Sequence, residues 1–186
     1  MIRPEYDELN RMYSEVFAPQ HTTKATGDTL EALTVYLFNL AQPFRAAEIK
    51  TPTNQIDCFI RNKLAGSTGL LSFVGERIII ECKNEKNPPS GTYLQKLYGI
   101  ISMFNSKKTT PVVSIGIIVS KAQPPITFKR LSHSYYLRDG IILLHLSGKD
   151  IESLVFSRTN LLDMIERKRD EIALNATTDL LTTGLY

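Results

Sequence analysis

Three residues in the first half of the chain have the types and spacing for hydrolytic chemistry: Asp57, Glu81 and Lys83. Glu81 and Lys83 close the run Arg77-Ile78-Ile79-Ile80-Glu81-Cys82-Lys83-Asn84. Its consecutive isoleucines predict a β-strand, because branched side chains suit a pleated, packed surface. Residues two apart in a strand share a face, so Glu81 and Lys83 point together while Ile80 and Cys82 point away. Asp57 sits inside a second predicted strand, Gln55-Ile56-Asp57-Cys58-Phe59-Ile60. Aspartate is disfavoured in strands and a buried carboxylate is costly without a partner. Its position therefore predicts a cation, a metal ion or the edge of a cleft beside it. If the two strands are antiparallel neighbours, the acids meet on one face.

Two carboxylates and a lysine so placed suit metal-assisted hydrolysis. Mg²⁺ takes oxygen ligands and often only one or two carboxylates, with water and phosphate oxygens completing the shell. Asp57 and Glu81 would supply the carboxylates, and the Cys82 backbone carbonyl is placed as a third ligand. Lys83 would orient or help deprotonate the attacking water and offset charge in the transition state. A Lewis acid, an activated water and positive charge near the scissile phosphate are what phosphodiester cleavage requires. Gln55 shares a face with Asp57 and is a supporting polar contact, while Lys86, Tyr93 and Lys96 are candidates for nucleic-acid backbone contacts. Taken singly, Glu81 and Lys83 read equally as a same-face ion pair of little energetic weight. The strand context, and the crossover that follows it, favour the site.

The elements that must hold these residues can be read in order. Residues 3 to 17 predict an amphipathic helix, with Leu9, Met12, Tyr13 and Val16 at helical spacing, followed by a polar linker from His21 to Thr26. Asp28-Thr29-Leu30-Glu31 has the pattern of a capping box, predicting a helix from Asp28 to about Ala41. Phe44 to Lys50 is a short first strand, and the Asp57 and Glu81 strands follow, separated by a long connection with Gly66, Gly69 and Gly75. Pro88-Pro89 forbids regular structure, and Thr92 with Gln95 predicts a second capping box at the start of the next helix. Val112 to Val119 is almost continuously apolar, as an interior strand covered on both faces would be. Strand, helix and strand from 77 to 119 thus predict a right-handed parallel crossover. A helix over 126–138, a strand over 141–146 and one helix from Lys149 onward complete the order. The result is an α/β fold: a mixed central sheet with helices on both faces and an antiparallel start.

The totals agree with a single soluble domain. The chain has 186 residues, 42% hydrophobic and 22% charged, with a net charge of +3, which permits nucleic-acid binding without indicating it. No apolar run is long enough to cross a bilayer and the charged N-terminus lacks a signal-peptide core, so the expected location is cytoplasmic, with no membrane partner. Cys58 and Cys82 are expected to be buried, reduced core residues. His133 and His145 show no Ser or Cys arranged as a triad, and His145 reads as a core residue.

Ile56-Asp57, Glu81-Cys82-Lys83, the helix over 92–105 and the strand over 112–119, with Gly116 to Ser120 and Gly140 to Leu144 beyond, resemble the PD-(D/E)XK nuclease superfamily. Within it the likeness is to the Mrr-like, type IV restriction group, over roughly residues 26 to 155. The resemblance implies a restriction endonuclease-like three-layer α/β/α sandwich. It also implies metal binding by Asp57 and Glu81, water activation by Lys83, and a further metal contact from Glu31. Ile56 stands where the motif's name has proline. The expected organisation is an N-terminal helix and linker over 1–25, a nuclease core over 26–155 and a helical extension over 156–186. The expected activity is Mg²⁺-dependent cleavage of DNA in restriction, defence or repair, with Mn²⁺ able to substitute. The protein would act as a homodimer or beside other subunits. The alternative is a catalytically inactive module of the same fold that binds nucleic acid or protein.

Overall fold

A computed structural model describes residues 4–18, 23–50, 55–64, 74–85, 87–106 and 112–183. The helices are α1 (Pro4–Phe17), α2 (Thr23–Leu40), α3 (Gly91–Asn105), α4 (Ile126–Asp139), α5 (Gly148–Val155) and α6 (Leu161–Thr183); the strands are β1 (Phe44–Lys50), β2 (Gln55–Asn62), β3 (Arg77–Lys83), β4 (Val113–Ser120) and β5 (Ile142–Leu146). The strands form one sheet in the order β1-β2-β3-β4-β5. β1, β2 and β3 pair antiparallel, whereas β3, β4 and β5 pair parallel. The mixed sheet and the parallel crossover through α3 are those expected from the hydrophobic pattern.

Alternation along the strands sorts side chains into two apolar layers. On one face Cys58, Ile78, Ile80, Ile115 and Ile117 pack with residues of α1, α2, α5 and α6. On the other, Ile79, Ile118 and Leu143 pack with Leu94, Leu97 and Ile101 of α3 and Phe128 and Tyr135 of α4. The molecule is therefore a three-layer α/β/α sandwich. Cys58 and Cys82 are both buried and unbridged, on the α2 side of the sheet. No helix among the described residues is long and apolar enough to cross a membrane.

Several helix boundaries differ from expectation. α2 begins at Thr23, so Asp28 lies inside the helix and its capping box with Glu31 does not start it. The stretch from Thr23 to Thr26, expected as linker, belongs to the helix, since composition and propensity are weak signals of where a helix begins. α3 begins at Gly91 with Ser90 as its N-cap, and no side chain caps it, so the Thr92–Gln95 box is also absent. The single helix expected from Lys149 is two: the chain breaks between Val155 and Leu161, with Arg158 at φ 52°. α5 does carry a complete capping box, between Ser147 and Asp150.

Gly116 in β4 decides how closely α3 lies on the sheet. A Cβ there would come within 2.6 Å of Ile101 Cδ1, 2.9 Å of Leu143 Cδ2 and 3.0 Å of Leu97 Cδ2. These groups are all buried, so they cannot move aside together. Gly116→Val is expected to destabilise the fold by about 1–3 kcal/mol, visible as a lower denaturant midpoint in chemical unfolding. A midpoint equal to wild type would contradict this packing.

Candidate active site

The site follows from the pairing of β2 with β3. Cys58 opposite Ile80 is the last pair of the antiparallel ladder, so Asp57 and Glu81 are the next residues beyond it on their two strands. Glu81 reaches Lys96 of α3, and both carboxyl groups are buried, Asp57 at 6% and Glu81 at 2% exposure. Asp57 Oδ2 accepts a hydrogen bond of 2.7 Å from the Cys82 backbone N–H. The strand that carries Glu81 thus also holds Asp57 in place.

Glu81 is met by two lysines on the same oxygen. Lys83 Nζ lies 2.7 Å and Lys96 Nζ 2.8 Å from Glu81 Oε1. Lys83 comes from the strand itself, two residues on, and Lys96 reaches down from α3. Lys83 is mostly enclosed, whereas Lys96 remains 43% exposed. Tyr93, one turn before Lys96, places its ring 5.0 Å from Lys83 Nζ. The Tyr93 hydroxyl donates to Glu85 Oε1 at 2.6 Å, which fixes the ring.

Burial pushes the Asp57 carboxyl above its ordinary range, and the neighbouring Glu81 pushes it further. The Cys82 N–H, Lys83 and Lys96 oppose the rise without cancelling it. Burial works against the Lys83 ammonium, but the hydrogen bond and charge of Glu81, with Asp57 behind it, outweigh burial and raise its pKa. Lys83 is therefore cationic at neutral pH. Two carboxylates and two ammoniums balance, yet among the described residues Asp57 receives only a backbone N–H as a direct partner while both lysines serve Glu81.

This donor set suits a hard divalent cation. Asp57 and Glu81 offer carboxylate oxygens in the number that Mg²⁺ commonly takes from a protein. Among the described residues no third His, Cys, Asp or Glu joins them in a ready-made cluster. The Asp57 carboxyl is raised first by burial and then by the Glu81 charge, both of which a cation at its free oxygen would offset.

The structure thus brings together Asp57, Glu81, Lys83 and Lys96, with Tyr93 against Lys83. Glu31 is on α2, and its charge acts on the Cys58 and Cys82 thiols on the opposite side of the sheet; the charges that shift Asp57 are those of Glu81, Lys83 and Lys96. Gln55 lies in β2 opposite Lys50, and its side chain is outside the described residues, as is all of Lys86. Two features escaped the sequence reading. Glu85, which anchors Tyr93, looked like an ordinary loop acid, although its nearness to Lys83 was a signal. His145 meets Ser120, with Nε2 2.8 Å from Oγ, a neighbour that no spacing indicated. The Ser120 hydroxyl donates to the Ala122 carbonyl at 3.0 Å, so it is not an activated nucleophile.

No protein-family model and no curated protein matches the sequence. Among solved structures, the chain is similar to the small subunit of the heterodimeric restriction endonuclease R.BspD6I. The match covers 93% of this chain and 98% of that one, at 12% identity and a TM-score of 0.54. At this identity the likeness is one of fold, and it establishes the restriction endonuclease-like architecture.

The charge balance predicts an unusual pH response. A raised carboxyl pKa means that the folded chain binds the Asp57 proton more readily than the unfolded chain. Ionised Asp57 therefore costs stability at neutral pH, and the cost fades as pH falls through the folded pKa towards the ordinary value of 3.8. Asp57→Asn keeps an oxygen for the Cys82 N–H and removes the charge. It is expected to melt at or above the wild-type temperature at pH 7, with the difference shrinking towards pH 4 in calorimetric scans. A variant clearly less stable at pH 7 would show that the carboxylate stabilises the fold.

Proposed function

We propose that the protein is a metal-dependent nuclease that hydrolyses DNA phosphodiester bonds. One observation carries the reading: two buried carboxylates from adjacent strands act on one another, with two lysines converging on one of them. The restriction endonuclease-like fold supports it, because that fold delivers these residues from adjacent strands to a single edge.

In this reading Asp57 and Glu81 hold a Mg²⁺ ion, with the Cys82 carbonyl and Glu31 as further candidates and Mn²⁺ as a substitute. The bound ion would supply Lewis-acid activation of water and phosphate. The chain's own residues do the positioning. Asp57 is oriented by the Cys82 N–H, so its second oxygen is the one free to bind. Lys83, cationic and braced by Tyr93, donates hydrogen bonds to the attacking water or to a phosphate oxygen and offsets negative charge at the scissile group. Lys96, the more exposed of the two, is the first positive charge that an approaching backbone meets. Tyr93, Gln55 and Lys86 remain candidates for backbone contacts.

The biological setting proposed is restriction, defence against foreign DNA or repair, the Mrr-like likeness resting on motif order alone. One site per chain favours a homodimer or a partner subunit for cutting both strands, and the fold neighbour is itself one subunit of a heterodimer. A second reading is favoured by the lysines: because both ammoniums already satisfy Glu81, the same fold could serve as an inactive module that binds nucleic acid or a protein subunit.

Incubation with circular, linear, methylated and branched DNA in Mg²⁺ or Mn²⁺ separates the two. Asp57→Ala, Glu81→Ala and Lys83→Ala are each expected to lower cleavage by at least about a hundredfold, and EDTA to abolish it. Lys96→Ala is expected to weaken DNA binding and flatten its salt dependence by about one charge while leaving measurable cleavage. Full activity in EDTA or in the Asp57 variant would rule out the mechanism. Absence of Mg²⁺ or Mn²⁺ binding by calorimetry would favour the inactive module.

A further inference from the structure

A second site lies on the same face of the sheet, two strands away. Continuing the sheet register from Glu81 leads to Ile118 in β4 and then to His145 in β5, a distance of two strand spacings or roughly 10 Å. His145 lines a cavity of about 130 Å³ between β5, α4 and α6, at the carboxyl end of the parallel strands. Its walls are mixed: Phe128, Leu143 and Ile172 give apolar surface, and Ser132 and Gln123 add polar groups beside His145. Lys129 of α4 and Lys168 of α6 line it, and both of their charges act on His145. Lys168 is steadied 3.0 Å from Asp150, a contact that leaves other N–H donors on its ammonium, while the lining Glu171 is paired with Arg167 at 3.5 Å.

The His145 ring is 7% exposed and oriented. Ser120 has one hydroxyl hydrogen, and the Ala122 carbonyl, which can only accept, takes it. Ser120 Oγ must therefore accept from His145 Nε2–H, so Nδ1 carries a lone pair. Phe128 holds the ring edge-on at 5.5 Å between centroids. Burial and the Lys168 charge lower the His145 pKa to about 4, which keeps the ring neutral. Among the described residues Nδ1 has no partner, and it is the polar group that His145 offers to the cavity.

We infer that this cavity is a pocket for a single nucleobase presenting an imide edge, the C=O, N–H, C=O sequence of thymine or uracil. Size admits the leading edge of one ring and nothing larger, since a cavity of roughly 150 Å³ holds benzene and this one, at about 130 Å³, is slightly smaller. Phe128, Leu143 and Ile172 offer apolar surface to the ring faces, while polar groups in the remaining wall suit a heterocycle more than a hydrocarbon ring. A central acceptor flanked by two cationic donors complements an edge with one central donor and two flanking acceptors. Cytosine and adenine would place a ring-nitrogen lone pair against Nδ1, and guanine would turn an amino group towards a lysine. Discrimination therefore comes from repulsion as much as from attraction. The base could come from a free nucleotide or from a strand that has extruded it. The strand-borne form rests on the nuclease reading, whereas the pocket does not.

The test is binding in EDTA, so that cleavage plays no part. Anisotropy of labelled oligothymidylate and oligocytidylate is compared, alongside calorimetry with thymidine and cytidine monophosphates. Expected is a preference for thymine of at least about tenfold, lost in His145→Phe and reduced in Lys129→Ala. In ¹⁵N-histidine NMR, the Nδ1 resonance of His145 should move with the thymine ligands only. Preference confined to the oligonucleotide assigns the ligand to an extruded base, and equal preference in the monophosphates assigns it to a free nucleotide; either supports the pocket. No thymine preference in either form, a preference that survives His145→Phe, or an unmoved Nδ1 resonance overturns it. Should His145→Phe fail to fold, the exposed Lys129→Ala variant and the NMR shift still decide. Base preference without any cleavage in Mg²⁺ would leave the pocket standing and remove only the nuclease reading.

Discussion

Asp57 and Glu81 stand just beyond the last pair of β2 and β3, buried and of like charge, and the features around them answer that repulsion. The Cys82 N–H turns towards Asp57, and two ammoniums turn towards Glu81. Tyr93 closes over Lys83, and Glu85 holds Tyr93. A core strand would be more stable with apolar residues in both acidic positions, because desolvating a carboxylate costs more than one backbone hydrogen bond returns. The arrangement is a local departure from what packing favours. Such departures concentrate where a chain does chemistry.

The scaffold explains how the strain is contained. The three isoleucines of β3 and the apolar run of β4 form the centre of the sheet, covered on both faces. Gly116 lets α3 settle close enough for Lys96 to reach Glu81. The parallel half of the sheet then carries the same face onward to Ser120 and His145. Polar groups collect where the parallel strands end, and apolar contacts fill the middle, which is the division expected for ligand sites in α/β sheets.

Much of the fold was legible in the residues themselves. Isoleucine runs, the β4 stretch and the apolar spacing of α3 specified strands, helix and a parallel crossover, because hydrophobic period reports directly on burial. Helix ends were less legible. The Asp28 and Thr92 capping patterns are local signals, and both helices begin before them, at Thr23 and at Gly91. The break at Arg158 left no proline or glycine to announce it.

For the site, the sequence alone determined that Glu81 and Lys83 share a face and that Asp57 needs a partner, since both follow from the two-residue repeat of a strand and the cost of a buried charge. Tertiary structure decided which partners arrived. Lys96 bonds Glu81 from 15 residues away and Ser120 meets His145 across 25, and separations of that kind carry no periodic signature. It also turned the Asp57 carboxyl onto the Cys82 N–H, a choice set by the register of two strands. Periodicity can state which face a residue occupies, but only the folded sheet states what stands opposite it.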